Sequence, residues 1–158
     1  MVEKKQLILM TAIPAVAIAG IGAYYYYSKK KGIIVQVVSV NPTEFNICDS
    51  QTVAIKITDG AGNPLANEPF QLMPIVDGQQ IPPRPDEIFY TGLDGMGYVL
   101  VTWYTGPALE HSDTERRLQV QYVAIHLPTQ TRSDPAPGGV MKIPPCTDRN
   151  TCPKPPEE

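Results

Sequence analysis

Imidazole and thiol are scarce in this chain: 158 residues hold two histidines, His111 and His126, and three cysteines, Cys48, Cys146 and Cys152. A nucleophile and base can be drawn together only from His111-Ser112-Asp113. Adjacent residues on one loop cannot face each other in the geometry that nucleophilic catalysis requires. The cysteines lack the paired spacing of a structural zinc site. No glycine-rich phosphate loop opens a helix, since "DGAGNP" ends in a proline-led turn. The expectation is a protein that is not an enzyme and carries no cofactor or metal.

Clustered base is the next absence. Beyond Lys31 the only adjacent pair is Arg116-Arg117. All but five of the 13 Lys+Arg and all but one of the 16 Asp+Glu lie after residue 32, which leaves eight against fifteen, a charge of −7 by count. Neutralising phosphates takes clustered cations, so a nucleic-acid partner is excluded. Amphipathic helical periodicity is missing over the same region. The 17 prolines and 12 glycines favour turns and short strands over a helical bundle.

One long apolar run is present. Gln6–Tyr27, "QLILMTAIPAVAIAGIGAYYYY", has no charge, and at about 1.5 Å per residue it covers about 30 Å, the thickness of a bilayer core. It ends in Tyr24, Tyr25, Tyr26 and Tyr27, followed by Lys29, Lys30 and Lys31. Tyrosine rings sit at the lipid–water interface, and lysines beyond them reach the headgroups. Residues 1–32 therefore read as a basic N-terminus and a transmembrane anchor, with the lipid bilayer as a partner. The competing reading is a cleaved signal peptide with a small-x-small site at Ala17-Ile18-Ala19. Lysine counts on the two sides of the run nearly balance, and the cysteines and fold class place the rest of the chain outside the cytoplasm. Thr11, Ala15, Ala19 and Ala23 recur every four residues, a stripe of small side chains along which a second copy of the helix could approach.

After Gly32 the pattern changes to short runs of period-two alternation, the mark of strands with one buried face. Six strands are predicted: Ile33–Val40, Thr52–Asp59, Phe70–Val76, Glu87–Gly92, Tyr98–Thr105 and Leu118–Leu127. Val53, Ile55 and Ile57 share one face of the second, and Val99, Val101 and Trp103 one face of the fifth. Pro74 places the latter half of the third at an edge or bulge. Strands spaced in this way, without intervening helices, point to an antiparallel β-sandwich over residues 33–127.

The turns are the most specific residues. Asp59, Gly62, Asn63 and Pro64 form an Asp-x-x-Gly-Asn-Pro turn that leads to Pro69-Phe70, and Thr91, Asp94, Gly95 and Gly97 form a Thr-x-x-Asp-Gly-x-Gly turn. Glycine and asparagine reach positive φ cheaply, proline presets φ, and an aspartate can accept hydrogen bonds from N–H groups two residues on. The rival reading is that Asp59 and Asp94 bind calcium, although no dense aspartate series supports it. These two stretches resemble the signature turns of bacterial immunoglobulin-like domains of the invasin and intimin type. Similar turns occur in carboxypeptidase-regulatory-like and transthyretin-like modules. The resemblance implies a mainly β, immunoglobulin-like fold.

From Pro128 the chain reads as an extended, proline-rich tail over residues 128–158. Cys146 and Cys152 bracket "TDRNT", and a local disulfide between them is expected in an oxidising compartment. Cys48 is then a buried small hydrophobe, an intermolecular partner, or the true mate of one tail cysteine. The resulting expectation is a single-pass membrane protein with a structural or adhesive role, binding a partner protein or glycan at a cell envelope. The alternative is a virion protein that ties a membrane to a capsid or spike.

Overall fold

Alternation of apolar and polar side chains becomes sheet because each strand then has one face to bury. The computed structural model describes residues 32–103 and 114–145. Ten strands run in order: β1 Ile34–Asn41, β2 Glu44–Asn46, β3 Ser50–Thr58, β4 Pro69–Val76, β5 Gln79–Gln80, β6 Phe89–Tyr90, β7 Met96–Thr102, β8 Arg116–His126, β9 Thr131–Arg132 and β10 Ala136–Ile143. They form a three-stranded sheet, β1-β3-β7, and a larger sheet, β2-β10-β8-β4-β5, with β6 beside β4 and β9 beside β8. Every strand pairing is antiparallel except β2 with β10, which is parallel.

The two sheets share one core. Val35, Val53, Ile55, Ile57 and Val99 from the small sheet meet Phe45, Phe70, Leu72, Leu118, Val120, Tyr122, Ala124, Met141 and Ile143 from the large one. Val101 and Trp103 pack against this cluster half-buried. Met73, Ile75, Val123 and Ile125 form a second apolar cluster, on the opposite face of the large sheet by their parity along β4 and β8. Phe70 stacks tilted on Phe89, with ring centroids 5.8 Å apart. Gly97 passes directly over the Phe70 ring, where a Cβ would lie 2.4 Å from Cε1.

The expected boundary at residue 128 is overturned. β9 pairs with the end of β8, and β10 lies between β8 and β2, bringing Met141 and Ile143 into the core. Residues 131–143 thus belong to the folded domain. The β10 run contains Pro137, Gly138 and Gly139, which read as loop; a register shift between Pro137 and Gly139 lets the strand absorb them. Gly139 has φ +95°, and a Cβ there would sit 1.9 Å from the Thr43 carbonyl oxygen. The predicted strand at 87–92 is reduced to Phe89–Tyr90. The edge or bulge expected from Pro74 is not found: it lies in β4 in unbroken register with β8, its carbonyl accepts from the Ile81 N–H, and Ile75 and Val76 pair with β8 on one side and β5 on the other.

Among the described residues no helix is long and apolar enough to cross a membrane. The segment 6–27, the stripe Thr11, Ala15, Ala19 and Ala23, the tyrosines 24–27 and the lysines 29–31 lie outside those residues, as do His111, Cys146 and Cys152.

Candidate interaction surface

The two signature turns sit side by side. Asp59 Oδ1 accepts from the N–H groups of Ala61 and Asn63, both at 2.9 Å, and its Oδ2 from Asn63 Nδ2 at 3.0 Å. Gly62 has φ +86° and donates to the Asp59 carbonyl. Pro64 bridges back to Thr58, and Leu65 donates to the Ile57 carbonyl. In the other turn Asp94 Oδ1 accepts from the Met96 N–H at 3.0 Å, while Gly95, at φ +71°, accepts from the Ile57 N–H. Both carboxylates therefore serve backbone donors. Among the described residues no group of three His, Cys, Asp or Glu side chains converges on a common point.

Thr91 joins the turns. Its hydroxyl donates to the Leu65 carbonyl at 2.6 Å and accepts from the Glu68 N–H at 3.0 Å. Gly32, where the described chain begins, lies backbone to backbone against Gly60 at this same end.

Tyr122, Gln51 and His126 are buried polar groups between the sheets or at their margin, and no motif in the sequence marks any of them as a site. Tyr122 is fully buried and donates to Gln51 Oε1 at 2.5 Å, while Trp103 Nε1 donates to Tyr122 Oη at 3.3 Å. Gln51 in turn donates from Nε2 to the carbonyls of Pro42 and Gly138. Burial pushes the Tyr122 phenol up to about 12, against the opposing effect of the Trp103 hydrogen bond. His126 is also fully buried, with Nε2 2.7 Å from Glu68 Oε2 and Nδ1 2.6 Å from Thr129 Oγ1. All three occupy inward parities on β3 and β8, a signal the alternation held although their polarity hid it.

Cys48 is half-buried in the turn before β3, with φ 73°, and among the described residues it forms no disulfide. β10 runs past it, since the Ile47 N–H donates to the Lys142 carbonyl.

The exposed surface carries several large apolar side chains on adjacent elements: Tyr90 at 58%, Leu93 at 93%, Tyr98 at 64% and Leu100 at 69% exposure. A groove of about 230 Å³ runs beside β7, between Val99–Thr102 and the segment Ile81–Arg84. Another, of about 430 Å³, lies between β1 and residues 133–137. The chain matches no family model and no curated protein.

Proposed function

We propose that this chain is a membrane-anchored structural or adhesive module without catalysis: a helix over residues 6–27 in the bilayer, and an immunoglobulin-like sandwich outside the cytoplasm that contacts a partner protein or glycan. The observation that carries this reading is the placement of the chain's entry and exit. Gly32 lies at the end of the domain that holds the 59–64 and 92–95 turns. β10 leaves at the opposite end, where Ile143 pairs with Arg116. β8 alone has 11 residues, so at about 3.3 Å per residue the domain would hold residue 145 roughly 35 Å from the entry point. A domain entered at one pole and left at the other suits a strut between a bilayer and a partner.

The strand order supports the immunoglobulin-like assignment. β1-β3-β7 facing β10-β8-β4-β5 corresponds to strands A-B-E facing G-F-C-C′ of such sandwiches. Exposed Tyr90, Leu93, Tyr98 and Leu100 favour a contact role, because contiguous apolar surface marks interaction sites.

The test is alkaline carbonate extraction of membranes from cells expressing the full chain, followed by N-terminal sequencing. The expected result is retention in the pellet with the apolar segment intact. A mature chain beginning after Ala19 or Ala23, or release into the supernatant, overturns the anchor.

A further inference from the structure

We propose that the free edge of β7 joins two copies of this chain, antiparallel, across a two-fold axis at Leu100. Among the described residues β7 pairs only with β3. The Ile57 N–H donates to the Gly95 carbonyl, and Trp103 exchanges backbone bonds with Cys48 and Asp49. Residues 95 and 103 therefore face β3, and by alternation so do 97, 99 and 101. The N–H and C=O groups of Tyr98, Leu100 and Thr102 point the other way, to the open edge. Those of Met96 are already occupied, by Asp94 Oδ1 and the Gly92 N–H.

The described residues leave this edge open. The segment Ile81–Ile88 precedes β7 and contains Pro82, Pro83 and Pro85, which have no N–H to offer a ladder. It stays beside β4, separated from β7 by the 230 Å³ groove. Exposed edges normally carry a charge, a proline or a bulge to prevent pairing. The opposite edge of the same sheet has such a device, a register shift between Val37 and Ser39 in β1. β7, "MGYVLVT", has no charge, no proline and an unbroken register.

A second copy fits this edge because β7 is self-complementary. With Leu100 of one copy opposite Leu100 of the other, Tyr98 of each faces Thr102 of its mate. All three free donors and all three free acceptors on each strand are then used, giving six main-chain bonds. Sliding the strands by one pair centres the axis on Val99 and sets Thr102 against Met96, whose groups are taken. On the outer face Leu100 and Tyr98, now 69% and 64% exposed, cover one another. The contact also brings two acidic domains together along a strand that itself carries no charge. The inference does not rest on the membrane anchor.

The test uses the full chain in detergent, with mass measured by sedimentation equilibrium over a range of concentrations. The expected result is a monomer–dimer equilibrium that Leu100→Lys weakens by about a hundredfold or more, since like charges then meet across the axis. Val38→Lys on the β1 edge leaves it unchanged, and so does Ala15→Leu with Ala19→Leu on the small-residue stripe. Circular dichroism and urea midpoints check that each variant folds. Independently, Leu100→Cys in a chain with Cys48, Cys146 and Cys152 changed to serine should form a disulfide dimer on mild oxidation. Opposed hydrogen-bonded residues have Cα atoms about 5.5 Å apart, within disulfide reach. A chain that is monomeric throughout, as when the edge serves a strand of another protein, overturns the proposal. So does a dimer that survives Leu100→Lys or yields no Leu100→Cys crosslink.

Discussion

Tyr122 links both sheets through one hydroxyl, which donates to Gln51 on β3 and accepts from Trp103 beyond β7. Buried polar groups stabilise only when every partner is present. Tyr122→Phe leaves Gln51 Oε1 without its donor and should cost about 1–3 kcal/mol at neutral pH. The pH dependence has a definite sign. The folded phenol titrates at about 12 against an ordinary 10.0, so its contribution is complete below pH 10 and is lost as pH rises toward 12. The loss is on the order of 2–3 kcal/mol. Urea denaturation at pH 7 and pH 11 should show native stability falling between the two, and the Tyr122→Phe variant falling less. An equal fall in both would remove Tyr122 as the cause. Residue parity made this group findable from sequence: Leu118, Val120, Tyr122 and Ala124 alternate inward with no break. What the sequence does not contain is the partner, because Gln51 and Tyr122 are 71 residues apart.

β10 and β2 show why an element can be missed when the strands that carry most of the core are found. The five long strands expected from alternation lie within two or three residues of β1, β3, β4, β7 and β8, because three or more apolar residues recur on one face of each. β2 has three residues and buries only Phe45, and β10 breaks its own period at Gly139. Neither strand is legible alone; β2 is fixed by its parallel pairing with β10, and β10 by its antiparallel pairing with β8. Lys142 on β10 and Glu44 on β2 form an ion pair across that junction, with Arg117 of β8 adjacent to the same carboxylate. The Lys142 hydrogen bond and charge hold the Glu44 carboxyl below its ordinary value, with Arg117 contributing less. Its folded pKa being depressed, the contribution of the pair is present above pH 4.5 and is lost as pH falls through the lowered value. Lys142→Met should move the Glu44 titration back up, as read by carboxyl carbon NMR, with the smaller Arg117 effect remaining. An unchanged titration would show that the pair does not form in solution.

At the scale of the molecule, the chain divides differently from its composition. Proline and glycine content draws a line at residue 128, whereas hydrogen bonds and burial carry the domain to residue 143. Ser133 already belongs to it, with Oγ accepting from the Ala124 N–H at 3.0 Å. Beyond it Val140, Met141 and Lys142 hold β2, and Met141 and Ile143 close the core beneath Leu118 and Val120. Removing residues 128–158 would strip β8 of β10, its neighbour on one side over Arg116–Tyr122, and expose Tyr122 and the core beneath Leu118 and Val120, so the loss exceeds the marginal stability of a domain this size. Removing only 146–158 leaves every described residue of both sheets in place. A chain ending at residue 145 should therefore unfold cooperatively in urea with the midpoint of the full chain. One ending at residue 127 should lack a cooperative transition, bind hydrophobic dyes and be cut rapidly by protease. Equal midpoints for the two truncations would return β10 to the tail. That outcome would also remove the basis for the strut, since the chain would no longer be carried by β10 to the pole opposite Gly32.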